Sequence, residues 1–412
     1  MPTSAILFGP WSGAVTSNSA VVKVAVEPNR AARLAFSRNS DLTAAQMLSP
    51  SGSSLSEMKV VAFNPTGLQP NTQYHYALEI DGKLDGEKRG RFRTFPTEDQ
   101  PASFMFVCAG DADTGSEHEV FDVIRNEQPL FFLHLGDLHY SDVNSALEAK
   151  YRKAYKKAIS SKTQSALYRD VALAYVWDDH DYVVNNGHRL TPGRKQARLT
   201  YQECVPHYPL VAGTGDVPIY QAFTVGRVRF LLTDTRSERD DSDAPGFNKT
   251  ILGQAQKQWL KDELRAGKDR YKLMVWVNSV PWIGEPEENA DEWFGYTTER
   301  SELGQFIITE GIRNVCMLSA DAHMLAIDDG RNNRPPNGAG GFPVFHASPL
   351  DRRRSDKGGP YLHGPVPKSS GQYGVFKVED SGGTTVKVEW IGKRVGKTDP
   401  MMGLEFTSPA TK

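Results

Sequence analysis

Over the first hundred positions, short apolar runs alternate with clusters of Pro, Gly, Ser and Asn. Residues 19–26 (SAVVKVAV), 31–36 and 59–63 have the length and β-branched content of strands. In GLQPNTQYHYALEIDGK, Tyr74 follows Leu68 and Pro70 at the spacing of a tyrosine corner, and the strand it begins ends in an Asp-Gly turn. Residues 1–96 are therefore expected to form an all-β sandwich of Ig-like or fibronectin-like type, closed by GRFRTFP. The polar stretch TEDQPAS, 97–103, follows as a linker.

Beyond the linker the rhythm changes to apolar runs separated by longer amphipathic stretches, the pattern of βα units. The runs at 104–107, 130–135, 172–176, 228–232, 272–277 and 315–318 predict strands. SALEAKYRKAYKKAI, GQAQKQWLKDELRAG and ERSELGQFIITEGI carry apolar residues at intervals of three and four and predict helices. The lysines of 150–157 read as a solvated helix face. GVFKVED and TTVKVEWIG predict a closing hairpin. The second domain, 101–400, is thus expected to be α/β, and no internal repeat is visible.

Length and charge narrow the function. At roughly 150 residues per domain, 412 residues suit two or three domains. With 48 Lys and Arg against 50 Asp and Glu the net charge is −2, which disfavours nucleic acid as an obligate partner. No apolar run approaches the roughly 18 residues of a membrane span. Cys108, Cys204 and Cys316 are too few for a disulfide framework or a Cys-rich zinc site. The opening MPTSAILFGPWSG lacks the features of a secretory signal, so the chain is expected to be either intracellular or already trimmed.

Chemistry concentrates just after the predicted strands, where α/β proteins collect their ligands. CAGDADTG offers Asp111 and Asp113, and LGDLHYSD offers Asp137, His139, Tyr140 and Asp142. WDDHD supplies Asp178 to Asp181, TDTRS Asp234 and Arg236, VNSVPW Asn278, and SADAHM Asp321 and His323. So many carboxylates at one mouth repel each other unless cations neutralise them. Oxygen donors with a few imidazoles suit Mn, Fe, Mg, Ca or Zn. Two ions about 3.5–4 Å apart, sharing a carboxylate and activating a bridging water, would hydrolyse a phosphate ester.

GD, LGDLHY, WDDHD, DTR and SADAH, in this order, resemble the PhoD-like alkaline phosphatases of the calcineurin-like metallophosphoesterase superfamily. The preceding sandwich is similar to that family's N-terminal domain. The resemblance implies a four-layer αββα catalytic domain with two or more metal ions, Fe, Mn or Zn together with Ca or Mg. It implies that Asp137 bridges the ions, that Tyr140 and Asp111 bind the first, and that Asp179 binds the second. Asp321 would face the second ion and His323 the first. Asp113 would occupy the histidine position of the superfamily's DxH. The family often places a Ser-Cys pair after its first catalytic strand; here Cys108 precedes Ala109, Gly110 and Asp111, which leaves its role open. The fifth strand brings only Asn278 and Ser279, without a histidine, so the second ion is expected to be exchangeable.

Two catalytic candidates accompany the ligands. Arg236 either grips phosphoryl oxygens or is held by Asp234. His180 either transfers a proton to the leaving group, orients the water, or pairs with a carboxylate. His139, His188 and His207 are expected to be solvated. Asn185 and Asn186 are placed to meet substrate or simply form a turn, the aromatic residues of PWIGEPEENADEWFGY either wall a pocket over the metals or simply pack, and His346 and His363 within 331–367 would close the mouth. The expected substrate is a small phosphomonoester or phosphodiester. A phospholipid or nucleic-acid diester is the alternative, and a calcium-holding adhesion module the rival from another class. The family's usual home outside the cytoplasm would suit a trimmed chain; oligomeric state is left open.

Overall fold

The computed structural model describes residues 5–53, 58–333, 341–366 and 370–410. Its largest sheet has ten strands in the order Met402–Ser408, Val386–Arg394, Gln372–Glu379, Phe104–Ala109, Phe132–His134, Leu173–Tyr175, Ile6–Gly13, Val21–Val26, Lys59–Phe63 and Gly52–Ser53. Phe104–Ala109, Phe132–His134, Leu173–Tyr175 and Ile6–Gly13 are parallel at its centre. A second sheet orders six strands as Gln221–Val225, Val228–Leu232, Leu273–Val277, Val315–Ser319, Val344–Ala347 and Leu325–Asp328. Its four inner strands are parallel and its two edges antiparallel.

Side-chain alternation decides what each face of the second sheet meets. Phe230, Leu232, Val275, Val277, Cys316 and Leu318 join the large core shared with the first sheet. Between the sheets, Phe106 and Phe131 stack at 4.8 Å, and both meet Phe230 edge-on. The alternate residues Leu231, Met274, Trp276 and Met317 pack with Leu260 and Leu264 of helix Gly253–Gly267 and Leu303 and Ile307 of helix Thr297–Thr309. Burial on both faces explains the apolar runs of Leu273–Val277 and Val315–Ser319, whereas Val228–Leu232 is interrupted by Arg229, which reaches Glu263 of helix Gly253–Gly267. Helices Lys162–Asp170 and Arg194–Cys204 pack on strands Ile6–Gly13 and Val21–Val26.

In its described residues the region 1–96 forms strands and no helix, as expected, and Gln69 N–H donates to Tyr74 Oη at 3.0 Å, the contact a tyrosine corner makes. Its strands divide between the ten-stranded sheet and a five-stranded sheet built from Gln46–Leu48, Ala32–Ser37, Gln73–Ile80, Lys83–Leu84 and Gly90–Arg93. The sequence pattern did not foretell its continuity with the rest: Gly13 pairs in parallel with Leu173. Strand Ile6–Gly13 was hidden by its Gly-Pro pair, a breaker by composition that sits here at irregularities of the ladder. Among the described residues, no helix is long and apolar enough to cross a membrane. Part of the loop expected to reach the rim, 334–340 and 367, lies outside the described residues.

Candidate metal centre

Three aspartates stand one or more residues past parallel strands, each with a left-handed backbone: Asp111 at φ 64°, Asp137 at 52° and Asp321 at 60°. That region is costly for a residue with a Cβ, and such conformations gather at functional sites. The turn swings each carboxylate off its strand axis towards the gap between the sheets. Small residues precede all three because the strand ends crowd together. A Cβ on Gly136 would meet Asp178 Cβ at 2.7 Å, and one on Gly110 would meet Ala320 Cβ at 2.8 Å. Backbone bonds hold the ends in register: Asp111 N–H donates to Gly136 O at 3.1 Å and Ala320 N–H to Ser279 O at 3.0 Å.

At one end of the gap, Tyr140 Oη donates to Asp111 Oδ1 at 3.0 Å and lies 2.9 Å from His323 Nε2. His323 Nε2 is 3.3 Å from the same Asp111 oxygen. Around an ion with bonds of about 2.1 Å, neighbouring donors sit roughly 3.0 Å apart in an octahedron and about 3.4 Å apart in a tetrahedron. The trio therefore already has the spacing of a coordination edge. Ser348 Oγ donates to Asp111 Oδ2, and His323 Nδ1 faces the Arg353 carbonyl, which fixes Nε2 towards the trio. Farther along, Asp137, Asp179 and His180 bring ligand atoms within 4.8 Å of one another, as do Asp178, Asp179 and Asp321. Asp179 belongs to both groups.

Asp111, Asp137, Asp178, Asp179 and Asp321 are all buried. Among the described residues the permanent cations paired with them are Arg236 and Lys357, so five carboxylates face two positive charges. Burial, then the neighbouring Asp179, Asp181 and Asp178, push the Asp137 carboxyl well above the usual range. Burial also raises Asp178 and Asp321, against the pull of Arg236 and Lys357 respectively. Asp111 is held below that range: burial opposes, but His323, Ser348 and Tyr140 outweigh it. Burial and the nearby Asp111 keep the Tyr140 phenol protonated far above its ordinary value; a bound cation would invert that preference. Asp178 Oδ2 is buried without a hydrogen-bond partner in the structure. An orphaned acceptor inside an excess of negative charge, beside oxygen and imidazole donors, fits hard or borderline metal ions.

Not every residue expected here arrives. Asp113 points away: its side chain is half exposed and paired with Arg352, while its N–H donates to Asp351. Two residues beyond the left-handed turn at Asp111, the chain has already left the gap. Arg236 is fully buried, but its partner is not the side chain suggested by sequence. Nε donates to Asp178 and Nη1 to Asp291, both at 2.6 Å. Asp234 is engaged by Trp177, Ser237 and Ile219 and by the backbone N–H of Arg236. Arg236 Nη2 has no hydrogen-bond partner and lies 3.9 Å from Asp179. His180 Nδ1 is 2.6 Å from Asp142, and its ring lies 4.1 Å from that of Tyr140.

Asn278 is turned from the gap, accepting from Trp293 and donating to Val280 O, whereas Ser279 Oγ donates to Asp178 at 2.8 Å. Cys108 sits in the core, where burial pushes its thiol up to about 12. His139 and His207, expected to be solvated, are respectively buried against Tyr155 and bonded to Tyr208 O; His188 lies 3.5 Å from Asp241. Trp282 and Trp293 pack on each other and on Trp276. Their loop instead contributes Asp291 and Glu292 to the charge network. Those two acids, Lys357 and Ser348 were not foreseen. Asp178 was visible only as one of the four candidates in WDDHD.

Residues 104–361 match the PhoD-like phosphatase family. The chain is 24% identical over 304 residues to alkaline phosphatase D of Bacillus subtilis (strain 168), covering 62% of this chain and 52% of that protein. It thus spans about half the length of that curated relative. In fold it is similar to the solved structure of PhoD, with a TM-score of 0.75, 19% identity and coverage of 98% and 90% of the two chains. It is also similar to the purple acid phosphatase PPD1 from yellow lupin (Lupinus luteus) seeds, with a TM-score of 0.64, 11% identity and coverage of 96% and 73%. With more than half of its residues matched, the chain belongs to the PhoD-like phosphatase family.

Proposed function

We propose that this protein is a metal-dependent phosphoesterase acting on small phosphomonoesters or phosphodiesters at neutral to alkaline pH. The observation that carries this reading is the convergence, from the ends of strands in both sheets, of Asp111, Tyr140 and His323 beside two candidate ligand groups, one with His180, that share Asp179. Asp111, Tyr140 and His323 would hold one ion, and Asp178, Asp179 and Asp321 a second, with Asp137 facing both. When bound, such ions supply Lewis acidity and a strong nucleophile from water.

The chain's own groups account for the rest. Asp142 fixes Nδ1 of His180, leaving Nε2 to pass a proton to the departing alkoxide at the partly exposed rim. Arg236 has two arms committed to Asp178 and Asp291, and its remaining nitrogen, Nη2, is the donor it would offer to charge developing on the phosphoryl oxygens. A cavity of about 640 Å³ beside Tyr140, between His118, Lys157 and Arg352, gives room for a small leaving group. The catalytic part is read as four layers, αββα, spanning 101–400, and residues 1–96 as an Ig-like or fibronectin-like sandwich one of whose sheets continues the first sheet.

The test is release of p-nitrophenol from mono- and bis-p-nitrophenyl phosphate. Chelation is expected to abolish it and added Mn²⁺ to restore it, while the ratio of the two rates reports ester preference. A protein that binds metal yet releases nothing from either ester under any metal would be a holding module, and the enzymatic reading would fall.

A further inference from the structure

Lys357 takes no part in the chemistry outlined above, yet it occupies the outer end of the metal centre. Its ammonium donates to both oxygens of Asp321, at 2.9 and 3.1 Å, and lies 2.8 Å from Glu292 Oε1. Asp321 belongs, with Asp178 and Asp179, to one of the two candidate ligand groups. The lysine thus satisfies the carboxylate that a divalent ion would need there. Asp178 Oδ2, in the same group, has no hydrogen-bond partner. Lys357 thus covers Asp321 as Arg236 covers one oxygen of Asp178, and the group is left with an unpartnered acceptor.

The segment bearing this lysine is anchored to the other ligands as well. Residues 351–357, DRRRSDK, follow strand Val344–Ala347. The Arg353 carbonyl meets His323 Nδ1, and Ser355 forms an isolated bridge with His323. Tyr361 Oη donates to the Lys357 carbonyl at 2.8 Å, so the backbone is tied down while the side chain is long and jointed. The Lys357 side chain is 27% exposed, against 8% for both Asp321 and Glu292; a path to solvent is open to it and closed to the acids. An ammonium and a divalent ion cannot both share the two oxygens of Asp321, because like charges at that separation repel strongly in a buried setting.

We propose that Lys357 is a built-in cation competing with the second metal ion for Asp321, so that filling the Asp178–Asp179–Asp321 position requires the ammonium to withdraw towards Glu292 and solvent. The Asp111–Tyr140–His323 end makes no contact with this lysine and loads without displacing it. Two unequal metal affinities follow from the chain's own residues, with Lys357 as a positioning residue acting through Asp321. This inference rests on the metal-dependent reading proposed above.

Chelator-stripped full-length protein, titrated calorimetrically with Mn²⁺ alone, tests it in the wild type and in K357M, K357Q and K357R. The wild type is expected to show a tight and a weak event. K357M and K357Q should tighten the weak event by about tenfold, within the usual range for coupling between ligands of one protein, and leave the tight one unchanged; K357R should behave as the wild type. In parallel, acetylation of Lys357 followed by mass spectrometry should accelerate as the weak event saturates. Equal affinities in wild type, K357M and K357Q, or labelling indifferent to Mn²⁺, overturn the role of Lys357 while leaving the metal reading intact. Absence of Mn²⁺ binding in every variant overturns both.

Discussion

Asp137 concentrates the electrostatic problem of this molecule in one carboxyl group. Its proton is held more tightly in the folded state than in the unfolded chain, because burial and four neighbouring aspartates disfavour its charge. Asp321 and Asp178 are shifted the same way, and Asp181 is pushed up to about 8, chiefly by burial. A raised carboxyl contributes stability that is full below the unfolded value near 4 and lost as the pH climbs through the folded one. Chelator-treated protein is therefore expected to lose stability between about pH 4 and pH 8, by up to about 1.4 kcal/mol per unit for each proton retained. Added Mn²⁺ should flatten that slope, a contrast that melting curves across the window would read. D137N removes the repulsion along with the ligand: the metal-free variant should melt higher than wild type, while its phosphoesterase rate falls about a thousandfold, the scale of losing a key electrostatic contact. Arg236 poses the opposite case, a buried cation between Asp178 and Asp291. R236A should cost about 3–5 kcal/mol in urea denaturation, the usual penalty for orphaning buried charges. R236K should recover only part of it, because a single ammonium cannot serve two acceptors from a rigid fork.

At the level of elements, the sequence was informative wherever strand and function coincide. Parallel strands buried on both faces leave mostly apolar runs, so Leu273–Val277 was readable nearly to the residue and Val228–Leu232 to the residue despite Arg229. The acids that follow such runs are also conspicuous, which is why Asp111, Asp137, Asp179, Asp321 and His323 could be named before the fold was known. What sequence could not convey is the direction of a side chain once a strand has ended. Asp111 and Asp113 look equivalent in GDAD, yet a left-handed residue turns one inward and lets the other pair with Arg352. Lys357, Asp291 and Glu292 come from irregular loops with no periodicity, so nothing in their spacing announces the contact they make. The same crowding makes a test of the strand ends. Gly136 has a φ of 121°, and a Cβ there would meet Asp178 Cβ at 2.7 Å and Ser279 Cβ at 3.3 Å. Neither neighbour can yield, since both are tied to the charge network. G136A is expected to destabilise by about 1–3 kcal/mol through overpacking and to weaken Mn²⁺ binding as Asp178 is displaced, both measurable by calorimetry.

Across the whole molecule, the polar linker at 97–103 marks a change of local pattern while strand pairing runs on past it. Composition reports where strands give way to βα units; it cannot report that strand Ile6–Gly13 docks beside Leu173–Tyr175 and extends the catalytic sheet. Specific contacts reinforce the seam. Trp11, fully buried, donates from Nε1 to Cys204 O at 3.1 Å, Tyr76 Oη donates to Arg169 O at 3.0 Å, and Tyr208 Oη to Val15 O at 2.8 Å. Lys23, also buried, spends its ammonium on the carbonyls of Gln202 and Glu203, a cation at the carboxyl end of helix Arg194–Cys204, where the exposed carbonyls favour it. Strand Leu173–Tyr175 leads directly into WDDHD, so whatever supports its outer edge supports Asp178 and Asp179. Unfolding of the full chain should accordingly be one cooperative transition rather than two. W11A should lower its stability by about 3–5 kcal/mol, the cost of emptying a buried tryptophan site. Hydrogen exchange gives the discriminating readout: protection should fall in Leu173–Tyr175 and in the Asp178–Asp181 turn as well as in Val21–Val26. Loss confined to residues 1–96 would instead mean that the all-β region is an independent neighbour, and that the catalytic sheet holds its metal ligands without it.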